Sequence, residues 1–267
     1  VQEYLNNTEH LFALVTNGQK LRLLRDATRL VRMSYLEFNL EQMFEEELYA
    51  DFSILYRVLH ASRMPEKMDE GPNSVIEFYH HESMASGTRI REKLSEAVED
   101  SIKTLANGFL SHSKNKDLVE IFNQNSLSAE DYYTYQLRLI YRILFLIVLE
   151  ERKIIYPENI TEEQQRFRKI YYRYYSIERL RKLTENRIYI EADKHDLWES
   201  LKTTFLLFED EEFGSKLGIK PLGSGLFATN ALGSLKDQFL NNGDLIEVLK
   251  RLTTFINEQG QLVRVNY

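Results

Sequence analysis

Leu11-Phe12-Ala13-Leu14-Val15-Thr16-Asn17-Gly18, continuing into Leu21-Arg22-Leu23-Leu24-Arg25, sets two apolar runs on either side of an Asn-Gly pair. This is a strong short-range signal for a β-hairpin, because both central residues of the tight turn need positive φ. After Asp26-Ala27-Thr28 a third β-rich run, Leu30 to Phe38, adds a strand and makes an antiparallel meander. Beyond Asn39 the pattern changes, and apolar residues recur at spacings of three and four. The expected fold class is therefore mainly α: a multi-helix domain with a small antiparallel β-meander near the N-terminus.

The helices can be placed by their start and stop signals. Asn39-Leu40-Glu41-Gln42 has the form of a cap with Gln three residues on, opening a helix in two pieces to about Ser62. Phe44, Leu48, Phe52, Leu55 and Leu59 form one apolar face of it. Pro65 ends it, and residues 64–73 read as a surface connection. A long amphipathic helix follows from Val75 to Phe109, with Ile90, Leu94, Ala97, Val98, Ile102 and Leu105 on one stripe and Gly108 near its close. A shorter one runs from Lys116 to Gln124. Ser128 caps the most hydrophobic helix, Tyr132 to Arg152, which belongs in the core. Thr161 caps a basic, aromatic helix to Tyr175, and Ser176 caps another, Ile177 to Thr184. A segment rich in Leu and Phe follows from Leu197 to Glu209, and two short elements, Ala231 to Leu240 and Asp244 to Phe255, close the chain. Gly214 to Gly225 is a loop, and residues 261–267 are β-like. These punctuation points divide the chain into 1–64, a meander plus helix; 73–213, a helical core; and 214–267, a C-terminal helical segment.

Composition narrows the function classes. There is no Cys, which excludes disulfides, thiolate metal sites and a Cys nucleophile, and fits a cytoplasmic setting. The net charge of −7 gives no global drive toward nucleic acid, so any such contact has to come from a local patch. The longest uninterrupted apolar run, Ile143 to Leu149, is about two helical turns, far short of the ~20 residues a bilayer span needs, so no membrane partner is expected. No secretory signal peptide is visible, and a start on Val1 fits a fragment of a longer chain.

No catalytic constellation assembles from the residues. His80-His81-Glu82 is the densest group of metal-type ligands, but adjacent helical residues diverge by about 100° and cannot chelate one ion together. The carboxylate runs Glu45-Glu46-Glu47, Glu150-Glu151 and Glu209-Asp210-Glu211-Glu212 read as solvated helix faces or ends. Glu150 and Glu151 stand out, because they close the most apolar helix at the end where its dipole disfavours negative charge. Gly223-Ser224-Gly225 is too short to cradle a phosphate.

The positive signal is Arg166-Phe167-Arg168-Lys169-Ile170-Tyr171-Tyr172-Arg173-Tyr174-Tyr175, extended by Arg179, Arg181 and Lys182. Seven cations interleave with five aromatic residues there, a composition suited to phosphate contact and base stacking. The competing reading is an amphipathic helix whose Phe167, Ile170, Tyr171 and Tyr174 pack inward while its cations pair with acidic runs. A second basic group, Lys20, Arg22, Arg25, Arg29 and Arg32, lies in the meander, with Lys20 and Arg22 on one sheet face.

Several of these segments together resemble a family. Val15-Thr16-Asn17-Gly18 with Leu21 to Asp26, then Tyr35-Leu36-Glu37-Phe38-Asn39-Leu40, is similar to the stretch preceding the methylase in large prokaryotic DNA-modification proteins. These are the fused type IIG restriction–modification enzymes and related phage-defence methylases. The likeness continues in Ala106 to Leu110, in Leu139 to Leu146 with Glu150-Glu151-Arg152, in Tyr174 to Arg181 and in Arg264-Val265-Asn266-Tyr267. It implies a non-catalytic helical connector whose first part, 1–64, is the edge of a nuclease-like domain beyond its carboxylate positions, and whose last part, 214–267, leads toward an adenine-N6 DNA methyltransferase. The partners it implies are those two domains of the parent chain, and duplex DNA is expected on the Arg166 to Lys182 face. No cofactor is expected in this chain; S-adenosylmethionine, with Mg where a nuclease is present, belongs to the parent. No catalytic or metal-binding residue transfers. The alternatives are a metal-dependent nuclease remnant using Glu3 or Glu9, and a protein-interaction scaffold without a nucleic-acid role.

Overall fold

In the computed structural model the hairpin forms, but its turn is not the tight two-residue kind. Thr16 pairs with Leu21, so Asn17, Gly18 and Gln19 all lie in the connection, and of the Asn-Gly pair only Gly18 takes a positive φ, +91°. Side chains do the rest. The Asn17 Oδ1 accepts from the amides of Gln19 and Lys20 at 3.1 and 2.8 Å, and the Thr16 hydroxyl donates to the Lys20 carbonyl at 2.8 Å. Asn thus acts as an acceptor for its own turn and needs no left-handed backbone. Strands β1 (Phe12–Thr16), β2 (Lys20–Arg25) and β3 (Tyr35–Asn39) make an antiparallel sheet in the order β1-β2-β3. The structure describes residues 1–8, 10–26, 35–157, 161–185, 190–257 and 260–265, apart from a few side chains within the helices. The start of the expected third strand, Arg29, Arg32, Glu9, Asn266, Tyr267 and the side chain of Ile90 fall outside that set.

The described residues divide into two compact units, Val1–Arg89 and Ile90–Tyr267. The division falls inside a helix rather than at the Pro65 to Pro72 connection, and residues 214–267 share a unit with 90–213. The first unit holds the meander, α1 (Gln2–Asn6), α2 (Leu40–Glu45), α3 (Tyr49–Leu59), short 3-10 turns at Ala61–Arg63 and Met68–Asn73, and the first part of α4 (Val75–Ser111). Asn39 caps α2 by accepting from the Gln42 amide. The expected apolar face is present but only partly covered: Leu48, Leu55 and Leu59 are half-buried, no residue of α3 is fully buried, and the exposed Phe44 and Phe52 lean on one another with ring centres 6.4 Å apart.

The second unit carries the main core. It contains the rest of α4, α5 (Lys116–Asn123), α6 (Ala129–Glu151), α7 (Glu162–Tyr174), α8 (Ile177–Glu185), α9 (Asp196–Glu209), α10 (Glu211–Ser215) and α11 (Asn242–Thr253). A closing hairpin joins β4 (Thr254–Ile256) to β5 (Leu262–Arg264). The short element expected at 231–240 is a 3-10 turn, Gly233–Asp237, and the backbone just after it is tied down: the Trp198 indole donates to the Gln238 carbonyl and the Asn115 amide to the Phe239 carbonyl. Gly108 does not stop α4. A Cβ there would lie 2.8 Å from Leu240 Cδ1 and from Asp244 Oδ2, so the glycine lets the segment carrying α11 approach closely. Helix α6 is central as expected, with Leu139, Ile140, Ile143 and Leu146 fully buried. The buried Arg142 on this helix pairs with Glu209 and donates to the carbonyls of Leu226 and Ala228 at 2.7 and 2.9 Å. No helix among the described residues is long and apolar enough to cross a membrane.

Candidate nucleic-acid interface

Helix α7 begins with a reciprocal cap. The Thr161 hydroxyl accepts from the Gln164 amide at 3.3 Å, and the Gln164 side chain accepts from the Thr161 amide at 3.0 Å. From that fixed start, a period of 3.6 residues sends the interleaved residues to different sides. Phe167, Ile170, Tyr172 and Tyr175 pack against the core, and Tyr171 is fully buried. Tyr174, expected to point inward in the competing reading, is instead exposed, with Arg173 5.3 Å above its ring. The aromatic residues of the stretch are thus mostly core, and one remains on the surface.

The seven cations also separate. Arg166, Arg168, Lys169 and Arg173 are exposed and form no ion pair with a described residue. Arg166, Lys169 and Arg173 follow one another at three and four residues and make one outer stripe about 10 Å long. Arg168 lies on the flank, at the rim of a cavity. The α8 cations turn elsewhere. Arg179 is half-buried and donates to the Ser200 hydroxyl at 2.6 Å. Arg181 is buried, paired with Glu178 and 3.8 Å from Glu151. Lys182 is exposed and 3.4 Å from Glu178. In the meander, Lys20 and Arg22 share Glu37 at 3.0 and 2.6 Å, and Arg25 pairs with the buried Glu77. These three cations of the meander are thus paired with carboxylates.

The inner side of α7 is locked by Glu150, whose role sequence reading missed. Its Oε1 accepts from the Tyr171 hydroxyl at 2.7 Å and the Ile177 amide at 2.8 Å, and its Oε2 accepts from the Glu178 amide at 2.8 Å. The carboxylate at the unfavourable end of α6 therefore sits at the favourable end of α8, whose first amides it satisfies. Burial pushes the Glu150 carboxyl up to about 7, against the lowering effect of those hydrogen bonds. Burial also raises the Tyr171 hydroxyl, with the adjacent carboxylate adding to it. Nothing in a Glu-Glu-Arg run names a partner 21 to 28 residues away. The residual signal was the poor fit of a carboxylate to a helix C-terminus.

Of the residues weighed for metal chemistry, Glu3 is exposed in α1, and His81 pairs with Glu77 at 3.1 Å. Among the described residues no three His, Cys, Asp or Glu side chains converge on a common point. Comparison with protein-family models, with curated proteins and with solved structures gives no match.

Proposed function

We propose that this chain is a non-catalytic helical connector of a prokaryotic adenine-N6 DNA methyltransferase of the restriction–modification or phage-defence kind, and that it contacts duplex DNA through α7. One observation carries the contact: Arg166, Lys169 and Arg173 form an exposed stripe with no ion pair to a described residue, on a helix whose inner face is fixed by the core. Cations on this helix can meet phosphates without first having to break internal pairs. With most aromatic residues of the stretch packed inside, the contact is electrostatic and non-specific rather than base-reading. The connector role rests on the resemblance, supported by the mainly helical fold with its N-terminal meander.

The contact is tested by replacing Arg166, Lys169 and Arg173 together with Ala and measuring binding to a plain duplex at low salt. Weakened binding with an unchanged circular dichroism spectrum is the expected result. Undiminished binding removes α7 from the interface. The connector role is tested separately, by methylation assays on a parent chain with and without residues 90–267; full methylation without them contradicts it.

A further inference from the structure

We propose that the cavity between α6, α7 and α8 is a binding site for a mononucleotide, that is, a phosphate monoester carried on a flat ring. The cavity measures about 480 Å³, within the range of small-ligand sites. The half-exposed ring of Tyr172 supplies its open apolar wall, with the nearly buried Ile147 and Tyr156 behind it. Both phenols are anchored at their hydroxyl ends, Tyr156 donating to the Leu217 carbonyl at 2.9 Å and Tyr172 to the Glu150 carbonyl at 3.3 Å. Fixed aromatic walls favour a flat apolar group.

The charges divide into two sets. On one side Glu151, Glu178, Arg181 and Arg264 form a mutually paired group, with Arg264 2.7 Å from Glu151 and 3.5 Å from Glu178. On the floor Glu150 is satisfied by its three donors. That leaves Lys153 and Arg168, which line the same cavity and form no ion pair with a described residue. A guanidinium and an ammonium beside an apolar slot match a phosphate on a ring. Lys153 is delivered there by the end of α6. The Ile154 amide donates to the Leu149 carbonyl and the Lys153 amide to the Glu150 carbonyl, closing the helix with Lys153 at φ +55°. Glycine is the residue this position ordinarily favours.

The site goes beyond the duplex contact and does not depend on it, since Arg166, Lys169 and Arg173 do not line the cavity. The test is isothermal titration of the whole chain with each of the four ribonucleoside monophosphates, with inorganic phosphate and adenosine as partial ligands. Saturable binding of at least one monophosphate is expected, with either partial ligand weaker by roughly tenfold or more. Lys153→Gly and Arg168→Ala should each weaken that binding by roughly tenfold, the effect of removing one charged hydrogen bond. The glycine variant suits its left-handed backbone, so loss of binding there is not loss of fold. Lys169→Ala should leave monophosphate binding unchanged while weakening duplex binding. No saturable binding of any monophosphate overturns the proposal. So does phosphate binding as tightly as the nucleotides, or affinity indifferent to both Lys153→Gly and Arg168→Ala.

Discussion

The two units of this chain invert each other's surface. Among the described residues, 34 of the 40 buried hydrophobic side chains lie in Ile90–Tyr267 and six in Val1–Arg89. Of the large hydrophobic side chains left exposed, 14 belong to the smaller first unit and eight to the second. Both have amphipathic helices of similar quality, so the difference is not one of local pattern. In α6 the apolar stripe packs against α8 and the turn at Gly225–Phe227 and is withdrawn from solvent, whereas in α3 Leu55 and Leu59 are only half-buried and Phe52 stays exposed. Burial, not amphipathicity, is what converts a stripe into stability. The second unit is accordingly the rigid body on which α7 can hold its cations in place, and the first is the more weakly packed.

The largest expected effect is at Arg142. Ala there strands the Glu209 carboxylate and two carbonyls in a buried place, a loss of about 3–5 kcal/mol in chemical denaturation. Replacing both partners, Arg142→Met with Glu209→Leu, should cost clearly less than Arg142→Ala alone. Equal losses would show that the pair is not what organises that end of the core. At Glu150 the expected loss for Gln is about 1–3 kcal/mol, because an amide nitrogen must face one of three donors. The pH dependence has a definite sign. The folded carboxyl titrates near 7 and the unfolded one near 4.5, so the folded state holds a proton that the unfolded state has released. Wild-type stability relative to Glu150→Gln should therefore fall as pH rises through that window and level off above it. A rise with pH would mean the hydrogen bonds outweigh desolvation. The smallest effect belongs to the first unit: Phe52→Ala should change stability by no more than about 0.5 kcal/mol. A loss several times larger would undo the contrast between the units, because it would mean that the α3 stripe is covered in solution.

Much of the fold was legible because its signals are local. Asn39, Ser128, Thr161 and Ser176 each accept the amide hydrogen bond their positions call for, and the Leu and Ile spacing of α6 places its buried side. What escaped the sequence depends on distant neighbours. Gly108 looks like a helix stop until Leu240 and Asp244 arrive beside it. The short element expected at 231–240 reaches only one 3-10 turn, and the Gln238 and Phe239 carbonyls after it are claimed by Trp198 and Asn115. The same limit applied to the site. That Arg166, Arg168, Lys169 and Arg173 form a basic group could be read from spacing. That Arg179 and Arg181 leave it could not, since Ser200, Glu178 and Glu151 draw them inward.

Whether α7 meets phosphates with its outer cations is decided by the salt dependence of duplex binding. The logarithm of the association constant should fall linearly with the logarithm of salt concentration. Replacing Arg166, Lys169 and Arg173 with Ala should make that slope shallower by about 2.7, roughly 0.9 for each phosphate no longer neutralised. Identical slopes for the wild type and the triple variant would contradict a phosphate-binding role for α7.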